Sequence, residues 1–408
     1  MKRTSLKLAA AAAGLALLTT ACGSDDEPAN AAGSDTAGVK GAAAAKTAAA
    51  ELRGGLTHLL TEHVYLAGIA TGTAVSKGGD LKDPAVTGAV KALDANSVAL
   101  ADAVASAYPD AREPFLASWR QHIGFFVDYT LGQATNDKAK VAKAKKDLDG
   151  YRTSFGQLIN SVVPELPADA VADALVPHVD SLFAAIDAQV AGKPNQFALL
   201  NEAASHMPGT AKTLAGGIDA NKGLAGDPAS AASELRSGLT FLLTQHVYDA
   251  GIAISAAVGN KGDLKKPTSA AAVKALDANS VALADAVASA YPDAREPFLA
   301  SWRQHIGFFV DYTLGQATKD QAKVAKAKKD LDGYRTSFGQ LISSVVPELP
   351  ADAVAMELVP HVESLFLAID DVVAGKATAF KDLRTAASHM PGTAATLASG
   401  IAENKQLG

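Results

Sequence analysis

Nine histidines carry most of the chemistry available to this chain: His58, His63, His122, His178 and His206 in one half, His246, His305, His361 and His389 in the other. His63 sits in TEHVYLAGIA (61–70), which returns as TQHVYDAGIA at 244–253. A neutral imidazole is a common metal ligand, and a buried one left unpaired costs on the order of 1–3 kcal/mol. His63, His122 and His178 each have apolar residues three, four or seven positions away, the spacing of a buried helical stripe. His206 lies one step off the stripe that carries Met207. Each falls about ten to thirteen residues into a helix of about 25, so all four belong to one layer about 18 Å from either end of an antiparallel bundle.

Four imidazoles at one height imply a metal centre. The expected ligands are His63, His122, His178 and His206, with His246, His305, His361 and His389 as their copies. Histidine beside Met207 or Met390 suits copper, histidine with a carboxylate suits zinc, and haem held between two histidines is a less favoured third choice. Oxygen ligands are weaker candidates. Asp128 recurs as Asp311 and Asp180 as Glu363, but Glu62 becomes Gln245 and Glu202 becomes Thr385. The Glu-x-x-His of di-iron bundles is absent, which disfavours that centre. His58 is replaced by Phe241, so it reads as a packing position. The competing expectation is a non-catalytic interaction or scaffold module whose histidines are only packed. No nucleophile elbow, phosphate loop, metalloprotease helix or Cys-x-x-Cys is present, so no catalytic residue is assigned. The basic run from Lys138 to Arg152 interleaves Lys143 with Asp147 and Lys145 with Asp149 at i,i+4, as on a solvated helix face.

The elements that must position these residues are written twice. Glu51 matches Glu234, Trp119 matches Trp302 and His206 matches His389, a constant offset of 183 (234 minus 51) without gaps. From Ala89 to Ala172 only Asn136, Lys138 and Asn160 differ from their counterparts. Each copy has helical apolar spacing cut into six segments. The first runs from about 48 to 76, the second opens on Asp83 and Pro84, and the third opens at YPDAREP, where Asp110 and Glu113 have capping-box spacing. The fourth carries Val141 to Val162, the fifth follows PELP, and the sixth holds Leu200 to Ile218. Pro177 and Pro208 either interrupt a helix beside a histidine or mark the ends of shorter helices. The expected fold is all-α: two tandem duplicated antiparallel bundles of about six helices each, over 48–225 and 226–408, joined by NKGLAGDPAS.

The N-terminus reads as a leader. Lys2, Arg3 and Lys7 precede an apolar run from Leu8 to Leu18, which is too short to span a bilayer and ends in LLTTAC. The only cysteine, Cys22, closes that stretch. It resembles the lipobox of bacterial lipoproteins, with Thr19 where the box usually has Leu. The resemblance implies a signal peptide over 1–22, lipidation of Cys22, and a membrane anchor on the outer face of the cell membrane. Residues 23–47 read as a disordered tether, and an envelope protein is the expected further partner. The formal charge of −6 becomes more negative by three when Lys2, Arg3 and Lys7 are removed, which disfavours nucleic acid as a partner. A single cysteine leaves stability to packing rather than to disulfides.

Overall fold

The computed structural model describes residues 39–408, which are all-helical with no strand among them. The leader, Cys22 and the tether up to residue 38 lie outside the described residues. Helix α1 (Ala48–Ser76) begins where the Thr47 hydroxyl accepts from the Ala50 amide at 3.3 Å. Helix α2 (Pro84–Ala107) starts on Pro84, with the Asp83 carboxylate accepting from Ala85 at 2.8 Å. After a 3-10 turn at Pro109–Ala111, α3 spans Arg112–Ala134. The expected capping box does not form there: Ala111 occupies the cap position and Glu113 is drawn to the Arg112 guanidinium. Helix α4 (Lys138–Val162) is capped by Asp137.

The fifth and sixth segments each divide. They give α5 (Ala168–Ala174) and α6 (Val176–Val190), then α7 (Gln196–Ser205) and α8 (Met207–Lys222). Pro177 and Pro208 have no amide proton and sit at the second position of α6 and α8, where none is needed. The second copy gives α9 (Ala231–Gly259), α10 (Pro267–Ala290), α11 (Arg295–Thr318), α12 (Gln321–Val345), α13 (Ala351–Val373), α14 (Ala379–Ser388) and α15 (Met390–Lys405). Here the fifth segment stays whole, with Pro360 inside α13. The helices therefore outnumber the six expected per copy.

Helix α1 is touched by α2, α3, α6, α7 and α8, and α9 by α10, α11, α13, α14 and α15. The two central helices also pack along each other, and one hydrophobic core runs through both halves. Matching residues meet across α1 and α9. Tyr65 stacks on its counterpart Tyr248 at 5.4 Å with the rings 3° from parallel. About three turns nearer the helix starts, Arg53 reaches Glu234 at 2.8 Å while Arg236 faces Glu51 at 3.8 Å. Arg53 corresponds to Arg236 and Glu51 to Glu234, so the exchange is reciprocal, as at a two-fold interface between parallel helices.

Gly41–Lys46, inside the span expected as tether, form a 3-10 turn against α15 and α9. Ala44 and Ala45 are buried, Gly41 donates to the Leu407 carbonyl at 2.8 Å, and Arg236 donates to the Ala45 carbonyl at 2.8 Å. Small side chains let this segment lie flat on the helices, a property that reads as linker in sequence. Helix α9 is long and apolar enough to cross a membrane, but two thirds of that stretch (67%) is buried among its neighbours.

Candidate functional site

Three of the four expected histidines of each half meet in the interior. His63 on α1 and His122 on α3 turn their Nε2 atoms toward each other at 3.2 Å, and His246 and His305 repeat this at 3.3 Å. His178 on α6 stands one ring further out, its centroid 6.4 Å from that of His63, and His361 is placed identically from His246. All six rings are buried. His63 and His122 lie at mid-height of α1 and α3 as expected, whereas His178, also expected at mid-helix, is the third residue of α6 because the fifth segment breaks before Val176; its copy His361 stays inside α13.

His206 and His389 do not fill the fourth place. They lie at the junctions α7–α8 and α14–α15, only half-buried, where their carbonyls accept from Thr210 and Thr393. The sequence expected them at mid-helix, but the proline two residues on ends the preceding helix there. His206 still lies near enough to depress the pKa of His178. Among the described residues, no three His, Cys, Asp or Glu side chains converge closely enough to form a ready metal cluster. The assembled unit is a histidine pair with a third ring beside it.

The outward side of each ring is equally ordered. No Nδ1 atom of the three rings has a hydrogen-bond partner within normal geometry, in either half. An oxygen nevertheless stands beside each ring: the Asn96 side chain for His63, the Trp119 carbonyl for His122 and the Ala203 carbonyl for His178. Asn279, Trp302 and Ala386 stand in the same places in the second half. The Asn96 and Asn279 Oδ1 atoms lack any other partner. A hydrogen bond between the two Nε2 atoms makes one ring the Nε2–H donor and the other the acceptor, so only the accepting ring carries Nδ1–H toward its oxygen.

Burial keeps the rings neutral. It pushes His63 and His246 down to about 3, with His178 and His361 adding to the effect, and pushes His178 and His361 down to about 4. His122 and His305 fall well below the usual range for the same reason. Around the pair stands an aromatic cage. Trp119 meets His63 and His122 edgewise at 4.8 and 4.7 Å, and Tyr151 stacks on His122 at 5.0 Å. The indole N–H and the Tyr151 hydroxyl are themselves buried and unpartnered, as are those of Trp302 and Tyr334. Apolar cavities flank the layer: about 80 Å³ toward Leu52 and Met207, and about 60 Å³ toward Ala67 and Leu93. Gly68 lets Leu200 of α7 lie close against α1: a Cβ there would stand 2.5 Å from a Leu200 methyl, which would have to move aside.

A second polar cluster, between α1 and α9, escaped sequence reading. Glu62 is fully buried and accepts from Tyr248 at 2.9 Å, Asn96 at 2.9 Å and Arg384 of α14 at 3.0 Å. His58 joins it, with Nδ1 3.0 Å from the Thr244 hydroxyl and Nε2 4.0 Å from Glu62. Across the Tyr65–Tyr248 stack, Asp249 accepts from Asn201 at 3.0 Å, and Asn201 accepts from Tyr65 at 2.9 Å. Burial pushes Asp249 up to about 8. The available signal was divergence between the copies: Glu62 to Gln245, Leu66 to Asp249 and Asn201 to Arg384 meet at one interface. Asp128, Asp180, Asp311 and Glu363, the weaker oxygen candidates, are not among the buried acids.

Comparisons with family models, with curated proteins and with solved structures find no match to this chain.

Proposed function

We propose that the chain is one helical bundle unit duplicated in tandem, and that each copy holds a transition-metal ion between two imidazoles. His63 and His122 supply the first pair, His246 and His305 the second, and His178 and His361 are the third donors, reached by rotation of their rings. Copper and zinc remain the favoured ions; haem does not suit two nitrogens so close together. The observation that carries the reading is the Nε2–Nε2 separation of 3.2 and 3.3 Å in the two halves. Two donors about 2.0–2.1 Å from one tetrahedral ion stand about 3.3–3.4 Å apart. With the leader, the chain reads as a lipoprotein anchored through Cys22 that presents these centres at the outer face of the cell membrane.

The scaffold reading keeps one observation in its favour, the absence of a converged three-donor cluster among the described residues. Titration separates the two. Metal that binds the native state must stabilise it, so copper or zinc is expected to raise the melting temperature at two ions per chain. Replacing His122 by Gln is expected to remove one ion. No change in melting temperature with either metal would leave the histidines as packing.

A further inference from the structure

Resting on that metal reading, we infer that the centres are built for a monovalent soft ion, Cu(I), in preference to a divalent one. The donor set is entirely neutral: three imidazoles, with the thioether of Met207 lining the same cavity as His63 and His178. Met390 repeats this beside His246, His305 and His361. Among the described residues the only buried acids are Glu62 and Asp249. Both are engaged elsewhere. Glu62 is held by Arg384, Tyr248 and Asn96, and Asp249 by Asn201. Neither half therefore offers its ion an anionic ligand.

The surroundings strengthen the charge argument. The flanking cavities are lined mostly by Leu, Val, Ala and aromatic side chains, so an ion in the layer meets few polar groups beyond the histidines. The cost of dehydrating an ion rises with the square of its charge, about fourfold from a monovalent to a divalent ion of equal size. Zinc sites ordinarily meet that cost with thiolate or carboxylate ligands, neither of which the described residues of this layer supply. Soft neutral donors instead match Cu(I).

The test uses the full chain stripped of metal, titrated without oxygen by Cu(I) and in parallel by Ag(I) and Zn(II), each against a competing chelator. Trp119 and Trp302 are the chain's two tryptophans and both abut a histidine pair, so intrinsic fluorescence reports occupancy. Cu(I) and Ag(I) are expected to bind at two equivalents, tighter than Zn(II) by on the order of 100-fold. The double variant His122→Gln, His305→Gln is expected to lose that binding and keep its helical circular dichroism. A smaller ratio, with Zn(II) bound by the same histidines, overturns the preference for a monovalent ion but leaves the metal reading standing. Binding of none of the three ions overturns both.

Discussion

At the scale of single residues, the informative feature is not that histidines are buried but which of their nitrogens are left over. A packed histidine normally finds a partner for each nitrogen, whereas here Nδ1 of all three rings in both halves is without a close one. That state has a consequence in acid. The folded protein holds the rings neutral, His63 down to about 3 and His178 down to about 4, while an unfolded chain protonates them near 6.5. The unfolded state therefore binds more protons between those values, so this stability is complete above pH 6.5 and is lost as pH falls toward 4. Each imidazole contributes up to about 1.4 kcal/mol per pH unit. Urea midpoints of the metal-free protein at pH 7, 6 and 5 are expected to fall steeply, and less steeply in His63→Leu. Identical slopes for the two proteins would contradict the assignment. Asp249 works in the opposite sense: its folded value near 8 exceeds the ordinary 3.8, so its contribution is complete at low pH and is lost as pH rises through 8. Asp249→Asn is expected to stabilise the protein more at pH 8 than at pH 5, as read by the same midpoints.

At the scale of elements, sequence and structure agree where periodicity decides and part where small residues or prolines do. The Leu, Trp and His stripes of the first four segments were legible because their helices are long and capped by Thr47, Asp83 and Asp137. The junction at His206 was not, since the same Met-Pro pair also fits a kink within one helix. Nor was the turn at Gly41–Lys46, whose alanines carry no periodic signal. Of the histidine layer, His63 and His122 could be read from helix height alone. The oxygens behind them could not, because Asn96 and Asn279 lie in the near-identical stretch, where recurrence carries no information. The Glu62–Arg384 pair gives this scale its own prediction. Arg384→Ala leaves a buried carboxylate unpaired and is expected to cost about 3–5 kcal/mol in chemical denaturation. Adding Glu62→Gln is expected to restore most of it, because Gln and Asn already occupy the matching places at Gln245 and Asn201. Equal losses in the single and double variants would show that the pair is not coupled.

At the scale of the whole molecule, matching positions of the repeated sequence face each other across α1 and α9. The reciprocal Arg53–Glu234 and Arg236–Glu51 contacts and the Tyr65–Tyr248 stack show a two-fold contact now fixed within one chain. The two halves differ at that contact, where Glu62, Asp249 and Arg384 have Gln245, Leu66 and Asn201 as their counterparts in sequence. The histidine layer stayed alike on both sides of that interface, with pairs at 3.2 and 3.3 Å. The most direct measurement is the metal content of the chain purified in its native state without its leader, set beside that of His122→Gln. The expected result is two ions of copper or zinc per wild-type chain and one in the variant, with a melting temperature that falls on removal of metal and recovers on its return. A folded wild-type chain that carries no metal, and whose melting temperature does not respond to copper or zinc, would contradict the account.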